Sequence, residues 1–176
     1  MANIILQGGA SGTGSTTITG PSTNNTNTVT LPDTTGGSIM VSSNMPAFSA
    51  YQSIQQTIST NTFTKVQFQT KEFDTANSYD NTTNYRFTPN VAGYYQVNSV
   101  LRVTTATNNM YLSLYKNGSS YKIGNYPTSN ACSLATLVYL NGTTDYIEMY
   151  IYMNTGQTLS ISSDSTFFQA CLVRTA

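Results

Sequence analysis

The stretch FTPNVAGYYQV, Phe87 to Val97, decides how this chain folds. Beyond Gly93 the residues Tyr95, Val97, Leu101 and Val103 build one apolar face with the period of two that marks a strand. Gly93, lacking a side chain, permits a tight entry or close packing against a neighbouring strand. Working outward, Met110, Leu112 and Leu114 alternate with Tyr111, Ser113 and Tyr115 before the Lys116-Asn117-Gly118 turn. From Asp145 to Asn154, Ile147, Met149, Ile151 and Met153 point one way, and Tyr146, Glu148, Tyr150 and Tyr152 the other. The aliphatic sides should face a core, with the tyrosines and Glu148 turned outward. Breaks rich in Asn, Thr and Gly recur at strand spacing, which predicts an all-β sandwich needing no helix.

Composition narrows the function. Seven basic and seven acidic residues make up only 8% of the 176, so no charge excess draws the chain to nucleic acid or anionic lipid. The longest apolar run, near Leu134 to Leu140, is too short to span a bilayer, and MANIILQGG lacks the pattern of a secretory signal. No membrane insertion and assembly in a cytoplasm are therefore expected. Without histidine, the Ser/His/Asp and Cys/His arrangements and histidine-based metal sites are unavailable. Asp145 and Glu148, three apart on a strand, would face opposite ways and make no paired-carboxylate site. The chain reads as non-enzymatic, with no catalytic residue, metal or cofactor. Cys132 and Cys171 are expected as free thiols, with Cys171 buried in its alternating strand.

Composition shifts near Pro46. In residues 1–45 the only charged side chain is Asp33, and short β-like patches (Asn3 to Leu6, Thr16 to Thr19, Thr28 to Leu31, Ser38 to Val41) alternate with turn clusters. Such patches are too small to bury a face of their own, and ordering costs about 1–2 kcal/mol per residue. The segment is read as an extended N-terminal arm that gains order from neighbouring chains or a docking surface, and residues 46–176 as the folded head.

Three motifs in order, FTPNVAGYYQV, LSLYKNG (Leu112 to Gly118) and STFFQACLV (Ser165 to Val173), resemble the globular head of the first complement component and its tumour-necrosis-factor-like relatives. PAFSAY (Pro46 to Tyr51), KVQF (Lys65 to Phe68) and LNGTTDYIE (Leu140 to Glu148) extend the resemblance over most of the head. It implies a ten-stranded jelly-roll β-sandwich, homotrimeric, with one sheet around a threefold axis and the other facing out. No collagen-like Gly-Xaa-Yaa stalk is present. In the arm, TVTLPDTTG (Thr28 to Gly36) resembles a stretch of bacteriophage tail-fibre and virion-surface proteins.

The two resemblances together lead to a virion-surface protein, either a trimeric capsid decoration protein clamped to the major capsid protein or the receptor-binding tip of a tail fibre. Asn3, Ile4, Ile5 and Leu6 are the candidate capsid anchor. Tyr111, Tyr115, Tyr146, Tyr150 and Tyr152 are the candidate contact with host surface glycan, because tyrosine offers flat apolar area with a polar tip. The same rings also suit cross-strand pairing that stabilises a sheet without any ligand. Tyr79, Tyr121 and Tyr126, read as loop residues, form a second candidate surface.

Overall fold

The computed structural model describes residues 45–105, 109–127 and 129–176. Apart from Met45, residues 1–45, expected as an arm with Asn3, Ile4, Ile5 and Leu6 as its anchor, lie outside the described residues. Thirteen strand segments follow: β1 Ala47–Tyr51, β2 Thr57–Ile58, β3 Thr64–Lys65, β4 Thr70–Asp74, β5 Tyr79–Asp80, β6 Arg86–Phe87, β7 Ala92–Arg102, β8 Met110–Lys116, β9 Ser119–Ile123, β10 Ala131–Asn141, β11 Ile147–Met153, β12 Gln157–Thr158 and β13 Phe167–Thr175. There is no helix among the described residues.

One sheet runs β10-β7-β13-β1-β4 and the other β5-β6-β11-β8-β9, every pairing antiparallel. β3 pairs with β11 at Tyr150 and Ile151, while β6 pairs with it at Ile147. Each sheet therefore carries the five positions of a ten-stranded jelly roll, with β3 and the small β2–β12 pair added to them. The first motif lands on β6 and β7, and Gly93 lies where β7 meets β13. A Cβ there would overlap the Arg174 carbonyl oxygen and sit 2.6 Å from Leu172 Cδ1. Asn117 and Gly118 have φ of 53° and 79°, the left-handed pair that joins β8 to β9 in step with the strand twist.

The core lies between the sheets. Tyr95, Val97 and Leu101 from β7 meet Leu112 and Leu114 from β8, and Ile147, Met149, Ile151 and Met153 from β11, all buried. At one end Phe48 stacks on Tyr79 and Phe87 with centroids 4.6 Å apart in each case, and meets Phe168 edge-on at 4.9 Å.

Three expectations are corrected. Glu148 is only 3% exposed, although its strand face points out, because Lys65 on β3 lies across it and pairs with its carboxylate. Cys171 is exposed, since its neighbours Ala170 and Leu172 turn inward and none of the described residues covers the other side of β13. Neither Tyr79 nor Tyr121 is a loop residue: Tyr79 is a core ring on β5, its hydroxyl donating to the Phe68 carbonyl at 3.3 Å, and Tyr121 lies on β9. Cys132 is buried and unbonded to Cys171, and burial pushes its thiol up to about 12.

Candidate functional site

The outward side of the β11–β8 pair carries an aromatic surface. Tyr111 and Tyr152 are direct cross-strand partners whose rings stack at 5.1 Å and 22°. Tyr115 and Tyr150 sit one step along, stacked at 3.9 Å and 23°. Phe63, just before β3, lies 5.7 Å from Tyr111, 5.3 Å from Tyr152 and 6.2 Å from Tyr115, and Tyr126 lies 4.7 Å from Tyr111. The fold thus gathers four of the five expected tyrosines. Tyr146 stands apart, its ring 4.4 Å from the Arg86 guanidinium.

Phe63 and Tyr126 are the members sequence reasoning placed elsewhere or missed. From sequence Tyr126 belongs with Tyr79 and Tyr121 in the second candidate surface, and the only local signal for Phe63 is a large apolar residue in a polar turn. Both are exposed, Tyr126 by 63%. Burial and the adjoining Tyr126, Tyr152 and Tyr115 raise the Tyr111 hydroxyl above its usual value, and burial with Glu148 raises that of Tyr150 against the pull of Lys65. Both phenols stay neutral donors at neutral pH. Tyr152 donates to Asn61 Oδ1 at 3.1 Å. Stacking occupies much of the ring faces inside the group, so Phe63, Tyr126 and the ring edges are what a partner would meet.

Stacked aromatic pairs contribute about 0.5–1.5 kcal/mol beyond the area they bury. Tyr115→Ser combined with Tyr150→Ser should therefore lower the melting temperature while leaving the strand content unchanged by circular dichroism. An unaltered melting temperature would show that the pair does not brace the sheet.

On the other sheet, the outer face of the five strands is uncovered among the described residues. Pairing sets Leu137, Gln96, Cys171 and Ala47 in one row across β10, β7, β13 and β1. Ala135, Asn98, Gln169, Ser49 and Phe73 form the next, reaching β4. Neither row contains a charged residue, although Ser49, itself buried, donates to the Glu72 carboxylate at 2.7 Å. Leu137 is 53% exposed, with Tyr94 and Tyr139 exposed on the same side of the sheet and Phe73 exposed at its far edge on β4.

Asp145 accepts from Asn117 Nδ2 at 2.7 Å and from the Asn141 N–H at 3.1 Å, and pairs with Lys116 Nζ at 3.0 Å, latching the β8–β9 turn to the β10–β11 turn. Burial alone would raise its pKa, but the hydrogen bonds from Asn117, Lys116 and Asn141 and the Lys116 charge outweigh it and hold the carboxyl below its ordinary range. A folded pKa below the unfolded one contributes stability above the unfolded value, near pH 4, and loses it as pH falls through the folded value. The melting temperature should stay level down to about pH 5 and fall below about pH 4. Asp145→Asn should flatten that acid limb, and an unchanged limb would acquit Asp145. Among the described residues no three His, Cys, Asp or Glu gather as metal ligands.

The architecture is that of the jelly-roll heads of the tumour-necrosis-factor and complement type. Murine APRIL matches with a TM-score of 0.60 at 16% identity, over 73% of this chain and 99% of that one. The globular domain of zebrafish complement 1qA protein matches with a TM-score of 0.57 at 16% identity, over 74% and 99%. PRD1 vertex protein P5 matches with a TM-score of 0.59 at 15% identity, over 73% and 97%. At such identities the likeness is one of fold. No family model matches the chain, and no curated protein matches it in sequence.

Proposed function

We propose that this chain is a non-enzymatic structural protein of a phage virion, a homotrimer mounted on the capsid as a decoration protein, with residues 1–45 as the anchoring arm and residues 46–176 as the projecting head. The observation that carries the reading is the fold shared with the vertex protein of phage PRD1, in a chain whose arm resembles virion-surface proteins. Self-association is supported by the outer face of the five-stranded sheet, whose middle strands present rows of uncharged residues and where Leu137, Tyr94, Tyr139 and Phe73 are exposed. Depletion of charge with exposed aromatics is the composition of an interface core. Asn3, Ile4, Ile5 and Leu6 dock on the shell, and three copies multiply weak contacts. Assembly takes place in the host cytoplasm.

Gold-labelled antibody on intact virions tests the location. Label spread over the head is expected, and label confined to the tail tip would overturn the decoration role. Deleting residues 2–45 should leave a trimer that no longer binds capsids, whereas retained binding would move the anchor into the head.

A tail-fibre tip that binds host glycan is the second reading, favoured by the exposure of Phe63 and Tyr126 on the aromatic surface. The Tyr115→Ser, Tyr150→Ser double variant, checked for an intact trimer, should lose host-cell attachment on this reading. Unchanged attachment removes the surface from host recognition.

A further inference from the structure

Arg86 stands out among the basic side chains near the edge where β5 and β6 end the outer sheet. Its guanidinium lies over the Tyr146 ring at 4.4 Å, which orients it, yet it joins none of the ion pairs or side-chain hydrogen bonds among the described residues. Tyr85, immediately before it, has φ 51°, a left-handed conformation rare for an aromatic residue. The backbone is thus held in an uncommon state where it delivers Arg86 to the surface.

Arg86 borders a polar depression of about 470 Å³, which Lys71, Asn77, Asn81, Thr82 and Thr88 also line. Asp80 is directly across the strand pair from Arg86, but its oxygens turn back into the hairpin. They accept from the backbone N–H groups of Thr82, Thr83 and Asn84, each at 3.0 Å, from the Thr82 hydroxyl at 3.1 Å and from Asn84 Nδ2 at 2.7 Å. The N–H groups of Thr83 and Thr82 lead in holding this carboxyl well below the usual range. Lys71 is likewise spent, on Asp74 at 2.8 Å and Asn77 Oδ1 at 3.4 Å. The depression therefore has one cation without a counter-ion, a planar fork of donors suited to a carboxylate, amid amides and hydroxyls suited to sugar hydroxyls.

The geometry points to a binding site for a carboxylate-bearing sugar residue of the hexuronic acid type, its carboxylate on Arg86 and its hydroxyls among Asn77, Asn81, Thr82 and Thr88. A ligand with one negative charge fits best, since the nearby Asp80 repels a second. The site is on the β4–β5–β6 side, at the other end of both sheets from β9 and β10. None of the four stacked tyrosines lines it, and it does not depend on where the virion carries the protein.

Glucuronic acid and glucose, titrated separately into the full-length isotope-labelled protein and followed by amide chemical shifts, test the site. Glucuronic acid should shift amides of residues 77–88 with millimolar affinity, and glucose should leave them still. Arg86→Gln should weaken binding at least tenfold, and Arg86→Lys should recover only part of it, because an ammonium lacks the fork. Equal shifts with glucose, no shift with glucuronic acid at tens of millimolar, or undiminished binding by Arg86→Gln would each overturn the proposal. Inorganic sulfate binding as tightly as glucuronic acid would reduce the site to a general anion contact and overturn its assignment to a sugar. The wild-type shift map decides independently of whether a variant perturbs the hairpin.

Discussion

Phe48→Ala should destabilise the head by about 3–5 kcal/mol, the range for deleting a large aromatic side chain from a packed interior. Phe48 is 1% exposed, and its ring touches Tyr79, Phe87 and Phe168, which come from three other strands. Two of these partners, Tyr79 and Phe87, sit on two-residue strands that pair with each other through a few backbone bonds. The aromatic stack is therefore what ties the β5–β6 hairpin to β1 and β13, and the void left by alanine would be lined by rings that cannot collapse into it. Denaturant unfolding followed by tyrosine fluorescence measures the loss. A cost below about 1 kcal/mol would mean that the ring is not the keystone of this end of the sandwich.

Leu137→Glu should convert the assembled protein to monomers while leaving the fold of each chain intact. In the single chain Leu137 is 53% exposed, so a surface change there should cost no more than about 0.5 kcal/mol in folding. In a closed ring of three copies the same glutamate would be buried without a counter-charge at every interface, a penalty of several kcal/mol each time. Sedimentation equilibrium reads the oligomer and circular dichroism the fold. A variant that stays trimeric would place the interface elsewhere, and a wild type that sediments as a monomer would remove the trimer itself.

Much of this fold is legible from alternation alone. The buried sets on β7, β8 and β11 are those a period of two predicts, and the Asn117-Gly118 hairpin follows from two residues that tolerate positive φ. Alternation fails where burial is decided by something outside the strand. Glu148 points outward by parity and is buried all the same, because Lys65, 83 residues away in sequence, lies over it. Cys171 reads as buried because it lies in an alternating apolar strand, and it is exposed because none of the described residues covers its side of that strand.

The tyrosine face shows the same division. That Tyr111, Tyr115, Tyr150 and Tyr152 share one side of two strands is a matter of parity and family topology. That Tyr111 stacks on Tyr152 and Tyr115 on Tyr150, with Phe63 and Tyr126 closing the group, depends on strand register and on loops whose path no local pattern encodes. Tyr146 shares their parity and still sits with Arg86, because it lies at the turn, ahead of the first pairing of β11 with β8.

By itself the sequence determined the strand faces, the turns and the jelly-roll class, since these follow from short-range periodicity and from motifs kept in order along the chain. Only the tertiary structure decided which rings meet, which carboxylates are shielded and which cation borders the polar depression without a counter-charge, because those outcomes depend on distances between residues far apart in the chain.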